Sequence, residues 1–175
     1  VVDHYYNPAS QRFVIEFDAA LKVIKKQAFC HYANNDTHHM RRILLPESLT
    51  TIEEQVFWNT ELVSIVIPGA VNHIGHRAFE SCDYLRSLTF EPSPTNTPLE
   101  IGYARTGALD ENRIAPFGNS PLWEINVNRN FSDNLFKPTN HNEGILASAH
   151  GYASYPVIVI GEQMTEINNY MFGTQ

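Results

Sequence analysis

Leu49-Thr50-Thr51-Ile52 is followed, five residues after Ile52, by Phe57, and then by Leu62, Ile65, Ile67 and Pro68. Val71-Asn72-His73-Ile74 opens a second rendering of the same phrase, with Phe79, Leu85, Leu88 and Phe90 in the matching places. The steps from Ile52 to Ile74 and from Phe57 to Phe79 are both 22 residues. A period of that length marks stacked repeat units, each burying its apolar residues against its neighbours. Architecture follows from this phrase, and function becomes a question of surface.

Outward from the two clear units, the residue after each strand serves as a marker: Asp18, Pro46, Pro68, Glu91, Asn128 and Gly161. Alternating apolar pairs precede them, namely Ile15/Phe17, Ile43/Leu45, Ile65/Ile67, Leu88/Phe90, Ile125/Val127 and Ile158/Ile160. Alternation over so short a run predicts a strand with one buried face. Past most markers comes another apolar residue (Leu21, Leu49, Val71, Phe131 or Met164), then Ile24, Ile52, Ile74 or Ile167, then Phe29, Phe57, Phe79 or Phe172. These four Phe side chains are expected to form a stacked inner spine.

Markers are 28, 22, 23, 37 and 33 residues apart. Strands in one sheet must still stack about 4.8 Å apart, so the surplus residues leave the units as loops. The surplus falls at residues 31–39, at 92–98 with three prolines, at 102–112, where it displaces the Phe117 of that unit, and at 128–155.

The phrase V-x-x-I-x-x-x-A-F-x-x-C-x-x-L-x-x-L-x-F from Val71 to Phe90 resembles the BspA type of leucine-rich repeat. Leu49 to Pro68 is similar, with Val56 for the usual Ala and Thr60 for the usual Cys, and residues 114–125 resemble a degenerate unit. The resemblance runs from about Phe13 to Phe172 and leaves 128–155 unexplained. It implies a β-rich solenoid of the α/β class, right-handed, with about six short stacked parallel strands and irregular loop insertions. It also implies a secreted or cell-surface bacterial protein used in adhesion and extracellular protein binding, with no common catalytic residues.

Residues 1–175 then read as a single domain, with 1–12 as an N-terminal cap or tail and 128–156 as an irregular insertion. The last repeat looks incomplete after Phe172. The sequence reading therefore expects continuation past Gln175, or self-association through an open end.

Composition narrows the function classes. A net charge of -7 and a pI near 5.5 argue against a general nucleic-acid binder. The apolar run Val157-Ile158-Val159-Ile160 is strand-length, far short of the ~20 residues that span a bilayer. The N-terminus shows no signal peptide, so an extracellular or cell-surface location rests on the resemblance alone. Two cysteines are too few for a disulfide scaffold, and Cys82 reads as buried packing. Cys30-His31 lacks a third orienting group for nucleophilic catalysis. Neither His38-His39 nor His73 with His76 has zinc spacing. Glu53-Glu54 and Asp110-Glu111 are sequence neighbours, which acid–base catalysis across a substrate does not favour. No cofactor, metal or catalytic residue is therefore expected.

The surface is where a site is expected. If Ile65 and Ile67 point inward, Ser64 and Val66 point outward. One column then runs Val14, Arg42, Ser64, Ser87, Glu124 and Val157, and the other Glu16, Leu44, Val66, Thr89, Asn126 and Val159. Leu44 and Val66 make a small apolar patch beside Arg42, to be weighed against the ordinary scatter of exposed aliphatics on strands. The candidate binding surface is thus Arg42, Leu44, Ser64, Val66, Ser87, Thr89, Glu124 and Asn126, facing an extracellular protein or matrix component. A spacer segment without a ligand is the alternative. A third reading is glycan binding through Phe131, Phe136, His141, His150, Tyr152 and Tyr155, or else these aromatics pack back as a cap.

Overall fold

The computed structural model describes residues 3–9, 12–16, 20–31, 40–101, 116–118, 120–132 and 156–167. These residues hold ten strands and no helix. In chain order they are β1 (Asp3–Asn7), β2 (Arg12–Glu16), β3 (Val23–Ile24), β4 (Thr51–Ile52), β5 (Ser64–Ile67), β6 (His73–Ile74), β7 (Ser87–Phe90), β8 (Glu100–Ile101), β9 (Glu124–Val127) and β10 (Val157–Ile160). They form a two-stranded hairpin and two four-stranded parallel sheets, ordered β10-β9-β7-β5 and β3-β4-β6-β8.

Three successive units give one strand to each parallel sheet (β4 with β5, β6 with β7, β8 with β9), because their phrase holds two apolar segments separated by a turn. The short segment ending in Ile24, Ile52, Ile74 or Ile101 builds the second sheet, and all four Ile side chains are buried. The longer segment builds the main sheet, where Ile65, Leu88 and Ile125 align, as do Ile67, Phe90 and Val127. In-register parallel pairing places like beside like, so one alternating pattern buries a column at each inward position.

Between the two segments lies the turn that carries the aromatic ring. Phe29 stacks on Phe57 at 5.5 Å, Phe57 on Phe79 at 5.0 Å, and Phe79 on Phe117 at 5.0 Å. The spine is as expected through Phe79. Phe117 then takes the next place despite the insertion before it, because its turn bonds to the neighbouring unit: the Phe79 N–H donates to the Pro116 carbonyl at 2.7 Å and the Ser81 N–H to that of Gly118 at 2.9 Å. Phe172 lies outside the described residues. The turns are tight enough to force positive φ on non-glycine residues at recurring places: Gln27, Gln55 and Arg77 in one, Asn59 and Ser81 in another. Gly75 shows the same economy of space. A Cβ there would lie 2.5 Å from the Glu54 backbone nitrogen of the preceding unit.

The small residue after the ring caps the turn. Thr60 Oγ1 and Cys82 Sγ both donate to the Phe57 carbonyl, and Ser120 Oγ donates to that of Phe79. Burial holds the Cys82 thiol up at about 11, so it stays protonated and unreactive at neutral pH.

Three expectations need correction. The first expected strand, β2, does not stack in parallel; it pairs antiparallel with β1, with Tyr5 opposite Val14 and Asp3 opposite Glu16. The turn at Asn7-Pro8-Ala9, in which Asn7 Oδ1 accepts from the Ala9 N–H, makes that hairpin a local contact with a small closure cost. The second expected strand, at 42–45, keeps its alternation of exposure but has no ladder assigned; one bond, from Val63 N–H to the Arg41 carbonyl, ties it to β5. Ile167, expected as the inward equivalent of Ile74 in the last unit, is 59% exposed. Ile101, which the sequence pattern did not place in that series, pairs with Ile74 in the second sheet.

Candidate binding surface

Parallel register makes the outer face of the main sheet a grid. Ser64, Ser87, Glu124 and Val157 form one row across β5, β7, β9 and β10, and Val66, Thr89, Asn126 and Val159 form the other. Both rows match the columns expected from the alternation, with Val14 and Glu16 removed to the hairpin. Arg42 and Leu44 extend them before β5: both are exposed, Leu44 by 84%, while Ile43 and Leu45 pack partly against the core.

The face is not uniform. Its middle is polar and internally bonded, since Asn126 Nδ2 donates to Glu124 Oε1 at 2.7 Å and lies 3.5 Å from Thr89 Oγ1. Apolar side chains stand at both flanks: Leu44 and Val66 on one, Val157 and Val159 on the other. Val66 and Val159 are each 46% exposed.

Sequence reasoning missed a third row. The residues just before the strands, Val63, Arg86 and Trp123, are linked by bonds from the Arg86 N–H to the Val63 carbonyl and from the Trp123 N–H to the Arg86 carbonyl. Trp123 is 58% exposed, and the Arg86 guanidinium lies 5.5 Å from its ring centroid. The Asp83 carbonyl accepts from Arg86 and fixes it there. Repeat position would have found this row, since Val63, Arg86 and Trp123 each precede a strand by one residue.

The neighbouring carboxylates Glu53 and Glu54 are each held in an ion pair. Lys25 meets Glu53 at 2.9 Å and Lys26 meets Glu54 at 3.0 Å, across neighbouring units. The Lys25 ammonium, with the Lys26 N–H, holds the Glu53 carboxyl below the usual range. His73 Nδ1 lies 3.8 Å from Glu100, and the Cys30 thiol donates to the Gln27 carbonyl rather than facing His31. Among the described residues no group of three or more His, Cys, Asp or Glu is placed to hold a metal. His38, His39, Asp110 and Glu111 lie outside the described residues.

In the long insertion, Phe131 is buried, bridges in parallel to Leu99 and meets Phe90 edge-on at 5.2 Å. It belongs to the core and not to a ligand contact. Phe136, His141, His150, Tyr152 and Tyr155 lie outside the described residues.

Short parallel strands with alternating burial and a stacked aromatic spine from Phe29 to Phe79 are features expected of the repeat quoted above; the second parallel sheet was not foreseen. A family model for the BspA-type leucine-rich-repeat region matches residues 4–102 in six copies. The chain belongs to the BspA-type leucine-rich-repeat family. No curated protein and no solved structure matches it. β9 and β10 carry the main sheet of this BspA-type chain beyond the matched residues.

Proposed function

We propose that this BspA-type chain is a non-catalytic, extracellular protein-binding and adhesion module of a bacterial surface or secreted protein. Its units stack as one right-handed solenoid, capped by the β1–β2 hairpin, and the main sheet presents the contact face. One observation carries this reading: exposed apolar side chains stand in register on a parallel sheet whose alternate residues are buried in β5, β7 and β9. A surface held by three backbone ladders loses little freedom on binding, which limits the ordering cost.

The polar centre, Ser87, Thr89, Glu124 and Asn126, favours a second reading, a spacer without its own ligand. The two are separated by binding to a panel of immobilised extracellular-matrix proteins. L44D/V66D and W123A/V159D should each weaken capture of the best partner at least about ten-fold, one desolvated hot spot being enough for that. Wild-type capture by both double variants would leave the spacer reading standing.

A further inference from the structure

The first and last described units of the stack are opposite in charge. Residues 20–31 and 40–45 hold Lys22, Lys25, Lys26, Arg41 and Arg42 and no carboxylate. Lys25, Lys26 and Arg41 are paired with Glu53, Glu54 and Glu61 of the following unit. Lys22 and Arg42 are exposed, and among the described residues no carboxylate pairs with either. Residues 156–167 hold Glu162 and Glu166, both exposed, and no Lys or Arg.

The last unit keeps the backbone turn of the inner ones. The Met164 N–H donates to the Gly161 carbonyl at 3.2 Å, as Leu49 does to Pro46 and Val71 to Pro68, both at 3.0 Å. Its turn is fixed from behind: Asn128 Oδ1 accepts from the Gln163 N–H, and Asn130 accepts from the Thr165 N–H and donates to its hydroxyl. Between those asparagines Arg129 is buried and donates to the Gly69 and Thr97 carbonyls, which ties the segment to earlier parts of the chain. The apolar residues of this end are uncovered, with Ile160 49% and Ile167 59% exposed. Among the described residues β10 is an outermost strand of the main sheet, and β3 is one of the second sheet. The β1–β2 hairpin pairs with no strand of either parallel sheet and lies against none of them, so it leaves the edge of β3 free.

We propose that the chain binds a second copy of itself head to tail, the last unit of one copy receiving the first unit of the next. In the register that joins β9 to β10, Arg42–Leu45 of the incoming copy follows Val157–Ile160. Ile43 and Leu45, half-buried in their own chain, then fall beside Ile158 and Ile160, and the exposed Leu44 falls beside Val159. Apolar surface at the two ends is removed from water together. Lys22 and Arg42 bring positive charge to the end that carries Glu162 and Glu166. Two last units, or two first units, would instead oppose like charges, which selects the head-to-tail arrangement. A strand edge with unpaired N–H and C=O groups is a template for such addition. Because the contact joins different surfaces of the two copies, it repeats and builds a ring or an open row.

The test is sedimentation velocity of the 175-residue chain over a concentration series. The wild type is expected to grow into dimers and longer species as concentration rises, and less so in high salt. K22E/R42E and E162K/E166K change only exposed side chains, and each alone should weaken association at least about ten-fold. Mixed in equal amounts, the two variants should recover wild-type association, because every junction again joins opposite charges. A wild type that stays monomeric up to about 1 mM overturns the proposal. So does a K22E/R42E variant that associates as the wild type does, the result of β10 pairing with β10 of the second copy. A mixture no more associated than the separate variants overturns it as well.

Discussion

Ser64–Ile67 and Val157–Ile160 share one sheet and one alternation, but only the first has a buried face. Ile65 and Ile67 are buried, whereas Ile158 is half-buried and Ile160 is 49% exposed. Both strands have their ladders, so hydrogen bonding is not the difference. Behind β5 stand Ile52, Phe57 and Leu62, all buried. Behind β10 the described residues supply Met164, but no further strand of the second sheet and no further stacked ring. A backbone ladder can therefore run further along the chain than the core that gives it stability. Burial in such a protein belongs to a pair of neighbouring units and not to a sequence motif.

The strongest way to break this comparison is at the stacked rings. F79A removes the ring between Phe57 and Phe117 and should cost about 3–5 kcal/mol in chemical denaturation, the range for emptying a buried aromatic site. A loss under about 1 kcal/mol would deny the spine its role. Next comes the strand contrast itself. I67A should cost about 2–5 kcal/mol and I160A less than about 1 kcal/mol, measured in the same way; equal losses would erase the difference between β5 and β10.

Cys82 sharpens the comparison through pH. Unfolded, its thiol ionises from about pH 8.5; folded, it holds its proton up to about 11. The unfolded state therefore releases the proton first, and stability falls as pH rises through that window, by on the order of 2 kcal/mol. Denaturation from pH 8 upward should show this loss in the wild type and not in C82A. Native-state alkylation of Cys82 should be slow in the same range. The smallest effect is expected on the exposed ladder of charges, where E53Q should change stability by less than about 0.5 kcal/mol, with the change vanishing in high salt.

The inner columns and the outer rows of β5, β7, β9 and β10 were legible because a side-chain period of two and in-register pairing leave no freedom once the phase is known. Pairing direction was not. Ile15 alternates as Ile43 and Ile65 do, and only the turn after Asn7 sends its strand into an antiparallel hairpin. Ile167 looked like Ile74 because spacing was matched, but its neighbours in space were not readable from spacing. Trp123 was legible in principle as a repeat position, whereas Arg129 was not. A single arginine in an irregular span has no period to announce it, and its burial comes from carbonyls 60 and 32 residues away.

The left-handed turn positions offer an engineering lever. Asn59 and Ser81 occupy the same place in successive units, with φ of 57° in each. Asparagine tolerates that region better than serine, and Asn59 also uses its amide to donate to the His31 carbonyl. One unit has thus reached an answer that the next has not, and copying it as S81N would transfer a natural solution 22 residues along the chain. In a repeat protein, each unit serves as a worked example for its neighbours.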